Sequence, residues 1–555
     1  MASSAPIPEP EAPPAARPRR RRLLWTLVAL LLVLMFAIIP PLVQVNRLRR
    51  RIAASMSASL GRPVHLDRVR LNVLPVPGFT LENLVVSEDP AFGYEPIIRA
   101  NVVEITLRPS SLWRRQVELS TIRFVEPSLN LVRNAQGKWN IQSLLMHAAS
   151  LETAPTTQLR PGLAPRFPYI EARNARVNLK LGQEKQPFSL TDADFAVWLP
   201  SPQQWNVRIE AHPERTDSNV TETGIVRLEG SLVRAAKTED ARIDLQGSWH
   251  DAQLGDASRL LTGNDAGWRG TLNSDSTLTG TLGHANLTTG IHLNDVRRAN
   301  FLPAQLLDIS VNCSAAAALL QSQLTELHCA LPVDDTQPVA LSAAVLPLEQ
   351  PLQAATTLRF NALPLATVLN WARLFSLRIP QDMNPQGSVD GELDWSGAPS
   401  AGSKQSPGWS GGLTATLQSS APAHEGRAGA SPSPTSQIFT FVVPDAPNPQ
   451  LTLQLLPATL PPAATGETPA RLTLQGAASR GSYTLHLNGT ATPAQIADLA
   501  NDFPPVSDGV TQSLPALTNV ATGIDLTCSR TWPAPQTCVD VAAPAPRRSG
   551  KHRRR

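Results

Sequence analysis

Four cysteines are the residues whose spacing most plainly suggests chemistry. They fall as two local pairs, Cys313 with Cys329 and Cys528 with Cys538, separated by 16 and 10 residues. Both separations are even, so an antiparallel hairpin can bring the members of each pair together on one face. Three interpretations are open: disulfides in an oxidising compartment, buried thiols, and a metal site. The sequence contains no Cys-x-x-Cys motif to support a metal, and we predict two disulfides.

A Gly-x-Ser-x-Gly motif at residues 408–412 makes Ser410 a candidate nucleophile. In hydrolases this motif sits at a sharp turn between a buried strand and a helix. Here it lies in a stretch rich in Ser, Gly and Pro. A hydrolase that uses Ser410 is therefore the least favoured hypothesis.

No other motif in the sequence has the residue pattern of an active site. The chain has no Walker loop, no Gly-x-Gly-x-x-Gly and no His-Glu-x-x-His, and its ten histidines are scattered singly. The carboxylate pairs Asp192 with Asp194 and Asp334 with Asp335 are interpreted as solvated turn residues. We therefore predict no catalytic residues, no metal site and no cofactor.

The formal net charge of +4 comes largely from basic clusters at the two ends of the chain. We predict a disordered basic tail at residues 1–22 and a basic tail at residues 546–555. The interior is close to neutral, whereas a nucleic-acid groove needs basic side chains along a binding face. No nucleic-acid partner is predicted.

Residues 23–45 contain no charged side chain, and their apolar run from Leu23 to Ile39 is 17 residues long. This length suits one transmembrane helix across a hydrocarbon core of about 30 Å. A cleaved signal peptide is the alternative, but the segment lacks a small-x-small cleavage site. Arginines flank both ends, and the cysteines favour an oxidising side for the long C-terminal part, so we place the N-terminus in the cytoplasm. For residues 46–61 we then predict a juxtamembrane amphipathic helix whose arginines contact the lipid phosphates.

From residue 62 onward, apolar and polar residues alternate with a period of two, which is typical of strands with one apolar face. Interruptions such as Pro77 and Gly78 indicate turns between neighbouring strands. The pattern predicts a mainly β protein of long curved antiparallel sheet units with a few short amphipathic helices, preceded by one N-terminal transmembrane helix. Its predicted regions are a β region at 62–150, sheet-plus-helix units at 165–395, a Ser/Gly/Pro-rich linker or insertion at 396–436, and a C-terminal β region with one helix at 437–545.

Three stretches, starting at residues 241, 356 and 483, each combine an alternating strand with a short amphipathic helix. Pro364 begins the second helix. In the third, Thr492 is the predicted N-cap, Pro493 the first helical residue and Gln495 the partner of Thr492 in a capping box. Their wide spacing predicts large sheet-plus-helix units rather than a short solenoid repeat.

Residues 62–145 resemble the N-terminal region of the AsmA family of membrane-anchored β-rich proteins. The pieces that carry the resemblance are the Gly-Arg-Pro-Val strand start at Gly61, the Pro-Gly turn at 77–78, Asp89, Pro90 and Phe92, the Glu-Pro step at 126–127, and Asn134, Gly137, Trp139 and Asn140. The resemblance implies a single-pass inner-membrane protein of the Gram-negative envelope, with its bulk in the periplasm and no catalytic residues.

The resemblance also implies partners. They are the acyl chains of phospholipid or lipopolysaccharide, the inner membrane, and outer-membrane assembly proteins. We predict a non-enzymatic envelope biogenesis protein that binds or transfers lipid between the inner and outer membranes through an apolar β groove, with its lining residues not assigned. The alternative is a structural or regulatory factor for outer-membrane protein assembly without lipid transfer.

Overall fold

The structure is a computed structural model in which part of the chain is described. The described residues are 25–33, 45–72, 76–108, 119–134, 137–141, 168–182, 184–201, 203–300, 305–333, 336–348, 350–374, 384–397, 407–419, 435–444, 450–460, 471–479, 481–492, 495–496, 520–531 and 537–540.

Residues 25–33, in the predicted transmembrane segment, are helical. The rest of that segment, residues 23–24 and 34–44, lies outside the described residues, as do the predicted tails at 1–22 and 546–555. In the part of the chain that the structure describes, no helix combines the length and the apolar character that a membrane crossing requires. The transmembrane helix stays a prediction.

The chain is mainly β, with a long antiparallel sheet and few helices, as the period-two alternation predicts. The α-helices in the described ranges are α1 (Val45–Leu60), α2 (Leu254–Thr262) and α3 (Leu365–Arg373). Single 3₁₀ turns lie at Thr238–Asp240, Leu319–Gln321 and Pro351–Gln353. The chain divides into two compact units, Met1–Trp198 and Leu199–Arg555, and each is described by itself.

The first unit is a sheet built around β3 and β4. Its strands are β1 (Val64–His65), β2 (Arg68–Asn72), β3 (Gly78–Val86), β4 (Ile98–Leu107), β5 (Leu119–Val125), β6 (Ser128–Arg133), β7 (Tyr169–Leu181) and β8 (Glu184–Ser201), which ends three residues past the unit boundary. β1 and β2 both pair with β3, and β2 and β3 flank the predicted Pro-Gly turn.

β5 and β6 are two halves of one strand, broken at Glu126 and Pro127. Both halves pair antiparallel with β4 on one side and parallel with β7 on the other. The parallel step departs from the predicted antiparallel pattern. It is possible because parallel neighbours need a crossover of a dozen or more residues, and residues 134–168 are long enough to provide one.

Helix α1 covers the apolar side of β1–β4. Its Ile52, Ala53, Met56 and Leu60 pack against a cluster of buried strand residues. In that cluster Leu81 and Val103 are 0% exposed. The apolar side chains of α1 therefore face the sheet, and the contact of its arginines with lipid phosphates stays a prediction.

A buried polar network joins the chain after α1 to the sheet. The side chain of Asn140, which is 0% exposed, donates hydrogen bonds to the Glu88 carboxylate and to the Asn130 carbonyl oxygen, and accepts one from a β6 backbone N–H. Arg62 lies 3.7 Å from the same Glu88 carboxylate and 2.8 Å from that of Asp89. Arg62, Asp89 and Asn140 all belong to the pieces that carry the resemblance, so these positions have a structural role in the first unit.

We expect Asn140→Ala to destabilise the protein. The substitution removes one hydrogen bond from the buried Glu88 carboxylate and the side-chain partner of two backbone groups, which costs about 2–3 kcal/mol of unfolding free energy. Urea denaturation of the full chain, followed by circular dichroism, measures the loss. Asn72→Ala is the control, because Asn72 bonds Thr80 at an exposed position, and it should cost less than about 0.5 kcal/mol. Equal losses in the two variants would contradict the assigned role of the network.

The second unit is one antiparallel meander. Its strands are β9 (Gln204–Arg215), β10 (Ile225–Val233), β11 (Arg242–Gln253), β12 (Trp268–Thr281), β13 (Ala285–Arg298), β14 (Leu307–Ala318), β15 (Gln323–Val333), β16 (Thr336–Pro347), β17 (Thr356–Pro364), β18 (Gln386–Trp395), β19 (Trp409–Ser419), β20 (Thr435–Val442), β21 (Thr452–Thr459), β22 (Arg471–Ser479), β23 (Ser482–Ala491), β24 (Thr522–Thr531) and β25 (Thr537–Asp540). Each strand pairs with the next along the chain.

The two edges at which this meander reverses differ. Odd-numbered strands end at one edge, where the connections include α2 after β11 and α3 after β17; we call this edge the helix rim. Even-numbered strands end at the other edge, where several connections are short, such as residues 282–284 between β12 and β13; we call it the turn rim.

Six residues within strands interrupt the pairing register by adopting a left-handed backbone conformation. They are Asn174, Asp192, Asp251, Asp295, Glu326 and Ala362. Each is the extra residue of a β-bulge between two apolar residues spaced three apart rather than two. Those flanking pairs are Ala172 and Ala175, Leu190 and Ala193, Trp249 and Ala252, Leu293 and Val296, Leu324 and Leu327, and Phe360 and Leu363.

A side-chain oxygen on the neighbouring strand holds four of these bulges. The backbone N–H of the left-handed residue donates to it over 2.6–3.0 Å. The donor and acceptor pairs are Asn174 with Asp194, Asp251 with Asn273, Asp295 with Asp308, and Ala362 with Asp390. The carboxylates and amide thus satisfy the N–H that the interrupted ladder leaves unpaired.

The three predicted strand-and-helix stretches all occur at the helix rim. α2 and α3 follow β11 and β17, and residues 495–496 are helical after β23. The predicted capping box is present: the Thr492 N–H donates to Gln495 Oε1 at 2.9 Å, and the Gln495 N–H donates to Thr492 Oγ1 at 3.2 Å. Pro364 is the N-cap of α3.

Residues 396–436, predicted as a linker or insertion, are in part a strand. β19 pairs with β18 from Trp409 to Gln418 and with β20 from Gly412 to Ser419. The Ser/Gly/Pro-rich composition indicated a linker, but Gly, Ser and Thr can form a strand where both neighbouring strands supply backbone hydrogen-bond partners. Residues 398–406 and 420–434 lie outside the described residues.

We expect Asp390→Ala to cost about 1–2 kcal/mol of unfolding free energy, because the Ala362 N–H then loses its acceptor. Asp390→Asn keeps an acceptor oxygen and should cost less. Urea midpoints of the two variants measure the difference. A larger loss in Asp390→Asn than in Asp390→Ala would contradict this role for the carboxylate.

Candidate functional site

The strand register of the second unit places its apolar side chains on one face. Residues directly opposite each other in an antiparallel pair point to the same side of a sheet, so the register assigns every side chain to a face. On β9 to β13 this apolar face carries Trp205, Val207, Ile209, Val226, Leu228, Leu232, Ile243, Leu245, Trp249, Leu278, Leu287, Ile291 and Leu293. On β14 to β19 it carries Ile309, Val311, Ala315, Leu331, Val339, Leu341, Leu358, Phe360, Leu393, Trp395, Trp409 and Leu413.

The opposite face is polar and is held by cross-strand side-chain contacts. Thr277 and Thr288 share a hydrogen bond of 2.6 Å, and Arg227 bonds Glu210 at 3.1 Å. Further contacts of this kind join His250 to Asp275, Arg359 to Glu392, and His486 to Asp525. A face of this composition is stable in water.

The apolar face is sealed in some places and partly exposed in others. Around β20–β24 a cluster of apolar side chains is buried, and its Leu474, Leu487 and Ile496 are each 2% exposed or less. Near the turn rim of β11–β16, Ala285 and Ala317 are likewise buried. The side chains between the rims of β9–β15 are partly exposed; among them are Val207, Ile209, Leu228, Leu245, Trp249, Leu278, Ile291 and Val311. A ligand can therefore bury further apolar surface in the middle of this face.

A row of small residues crosses this middle region from strand to strand. It consists of Gly247, Ser276, Thr289, Cys313 and Cys329, which lie opposite one another in successive registers and are all partly exposed. A Cβ added at Gly247 would meet no atom closer than 3.8 Å, so there is free space above it. We call this row the furrow.

Larger residues flank the furrow on both sides. Toward the turn rim lie Leu245, Leu278 and Leu287, and toward the helix rim lie Trp249, Ile291, Val311 and Leu331. From strand spacing, the furrow is about 19 Å long over four strand steps, and its walls stand about 13 Å apart. It runs across the strands, along the direction in which the meander lengthens.

The predicted disulfide between Cys313 and Cys329 is confirmed. The two residues are opposite each other in the β14–β15 hairpin, on the apolar face. Cys528 is also disulfide-bonded, and the residue opposite it in the register is Cys538, as the prediction requires. The Cys313–Cys329 bond links two neighbouring strands and not distant parts of the chain.

The other residues singled out from the sequence do not assemble into a catalytic arrangement in the described part. Ser410 lies in an extended strand opposite Asp394, on the polar face, and not at a strand-to-helix turn as a nucleophile elbow requires. Asp192 is a bulge residue and Asp194 holds the Asn174 bulge, so both act within the sheet. Asp334 and Asp335 lie outside the described residues. No cluster of three His, Cys, Asp or Glu with metal-binding geometry occurs among the residues searched, which are the described ones.

The fold and the apolar face together define a mainly β protein, built as an antiparallel meander with one partly exposed apolar face. Residues 17–197 match the model of the AsmA family, which assigns this part of the chain to that family. The match contains the segment at 62–145 that carries the resemblance. No curated protein and no solved structure matches the chain.

We expect the double variant Cys313→Ser with Cys329→Ser to fold with the same register but with lower stability. Removing a bond that closes a loop of this size costs up to about 3 kcal/mol of unfolding free energy. Urea unfolding of the oxidised protein and of the double variant gives the difference. Native protein treated with a reductant should be no more stable than the double variant, because the reductant also breaks the disulfide of Cys528. Identical stability of the oxidised and reduced protein would contradict the role given to the bond.

Proposed function

We propose that the protein is a non-enzymatic factor of the cell envelope that binds acyl chains of phospholipid or lipopolysaccharide on its apolar face. The observation that carries this proposal is the continuous apolar face of β9–β19, whose middle is partly exposed. An apolar surface of this extent needs a cover of some kind. An acyl chain supplies that cover and brings no polar group that would need a partner.

The furrow is where we expect an acyl chain to lie. Its length of about 19 Å exceeds the roughly 15 Å that one leaflet of a bilayer provides for a chain. Each methylene buried there contributes roughly 0.8 kcal/mol, so ten of them contribute about 8 kcal/mol before the cost of ordering the lipid. Binding of this strength needs no nucleophile, no metal and no cofactor.

The direction of the furrow supports transfer as well as binding. Because it crosses the strands, an acyl chain that moves along it passes from one strand to the next without leaving the apolar face. We propose that this movement carries lipid between the inner and outer membranes.

We further propose that the chain is anchored in the inner membrane by residues 23–45, with the N-terminus in the cytoplasm and the bulk in the periplasm. The Cys313–Cys329 disulfide supports an oxidising compartment for the second unit. The uncharged apolar run supports the anchor. The match of residues 17–197 to the AsmA family supports a function in the envelope.

The proposal predicts that filling the furrow displaces lipid. In Thr289→Trp the indole occupies the floor of the furrow, and we expect retention of a labelled phosphatidylglycerol by delipidated full chain in detergent to fall on the order of tenfold, which corresponds to about 1.4 kcal/mol. The adjacent Thr288 lies on the polar face and is exposed. Thr288→Trp is therefore the matched control and should leave retention unchanged.

Two results would count against the proposal. The first is native protein that retains no labelled lipid. The second is an equal loss of retention in Thr288→Trp and Thr289→Trp, which would show that the effect does not arise at the furrow. Circular dichroism of both variants establishes that they are folded.

A further inference from the structure

The furrow is closed at each end by a leucine of the next strand. On β10, Leu228 lies directly opposite Gly247, and its Cδ1 lies 3.8 Å from the position that a Cβ at Gly247 would take. On β16, Leu341 lies directly opposite Cys329. Both leucines are on the apolar face and partly exposed. The floor of small residues is therefore bounded in length as well as in width.

The polar atoms of the floor bind each other. Ser276 Oγ and Thr289 Oγ1 share a hydrogen bond of 3.1 Å across the β12–β13 pair. Cys313 and Cys329 are joined as a disulfide, which has no hydrogen to donate. A methylene chain can thus cover the floor without breaking a hydrogen bond. This favours an acyl chain over a polar head group as the occupant of the floor.

The width of the furrow allows one acyl chain. The Cα atoms of its two walls are about 13 Å apart. A chain that contacts both walls at about 4 Å takes up about 8 Å of this width, and the wall side chains, such as Leu245 and Trp249, take up the rest. A second chain would have to lie outside the walls.

The distance between the two closing leucines can be compared with the length of an extended acyl chain. From β10 to β16, the Cα atoms of Leu228 and Leu341 are about 29 Å apart. An extended chain rises about 1.25 Å per carbon, because C–C bonds of about 1.5 Å meet at tetrahedral angles. A chain of about 16 carbons then spans about 19 Å and leaves about 5 Å at each end for the leucine side chains. A chain of about 20 carbons leaves about half of that space.

We propose that the furrow holds one acyl chain of about 16 carbons and that Leu228 and Leu341 set this length. This inference rests on the proposed function and adds to it the number and the length of the acyl chains that the site selects. Both leucines are apolar, so a chain that passes over them stays on the apolar face. The furrow is then a resting position for a chain that moves across the strands.

The test uses lysophosphatidylglycerols, which carry one acyl chain, with saturated chains of 12, 16 and 20 carbons. Delipidated full chain in detergent is loaded with an equimolar mixture of the three, and the retained lipids are quantified by mass spectrometry. Because every variant meets the same mixture, the effect of chain length on partition into detergent cancels when the retained ratios of variant and native protein are compared.

Gly247→Leu shortens the furrow by one strand, and there is space for the new side chain. About 24 Å then separates it from Leu341, a distance that suits a chain of about 12 carbons. We expect the retained ratio of the 16-carbon to the 12-carbon lipid to fall about 3- to 10-fold relative to native protein. Gln246→Leu is the matched control, because Gln246 is the exposed neighbour on the polar face. It should leave this ratio unchanged.

Leu341→Ala should have the opposite effect. It opens the furrow as far as Leu358 on β17, which lies directly opposite Leu341. We expect the retained ratio of the 20-carbon to the 16-carbon lipid to rise about 3- to 10-fold. Leu358→Ala removes the same side chain one strand further on, where Leu341 still closes the furrow, and should leave the ratio unchanged. Leu228→Ala tests the other end in the same way, and circular dichroism establishes that each variant is folded.

Several outcomes would overturn the inference. One is a set of native ratios in Gly247→Leu and in both leucine variants, and another is an equal change in a control variant. A change in Gly247→Leu alone would overturn the assignment to the two leucines. If native protein retains phosphatidylglycerol but none of the lysolipids, the site requires two chains and only the inference fails. If it retains neither kind of lipid, the proposed function fails and the inference fails with it.

Discussion

The constraint on which the second unit depends is the strict alternation of side chains across a paired strand. A shift of one residue moves every side chain of a strand to the other face, so a single unmatched residue would bring polar groups onto the apolar face. The bulges prevent this. At Asp251, for example, the extra residue is absorbed in a left-handed conformation, and Ala252 returns to the face of Trp249. The acceptor oxygens that hold these bulges therefore keep the apolar face continuous.

The apolar side of the sheet in each unit is not equally exposed along its length. The exposure depends on which side chains pack on it. In the first unit, α1 seals the sheet around Leu81 and Val103. Beyond β19, buried leucines and Ile496 close the face again. On β11–β15 of the second unit the furrow brings small residues to the floor, where larger ones would fill the space. The disulfide of Cys313 and Cys329 forms part of this floor, so a covalent bond between neighbouring strands also keeps two side chains small.

The sequence predicts the class of fold, the hairpin of Cys313 and Cys329 and the helix start at Thr492, because each depends on residues close together in the chain. It does not predict the furrow, whose members come from five strands and are aligned only by the register. The bulges make that alignment hard to see in the sequence, because each one shifts the alternation of apolar and polar residues by one position, as between Phe360 and Leu363. A signal for them is present: apolar residues three apart with Asp, Asn or Glu just before the second occur at Leu293, at Leu324 and at Trp249. The sequence also does not predict the parallel pairing of β7 or the strand β19. The partners of β7 are distant in the chain, and β19 is held by backbone hydrogen bonds, so neither pairing is visible in the local composition.

In the described part of the second unit the α-helices follow odd-numbered strands, and this has a consequence for how the chain can change in length during evolution. Gain or loss of a single strand would reverse the direction of every later one and carry the downstream helices to the opposite edge. Gain or loss of a whole hairpin leaves all directions and both faces as they were. Length variants of this protein should therefore differ by even numbers of strands, and each added hairpin would extend the apolar face by about 10 Å.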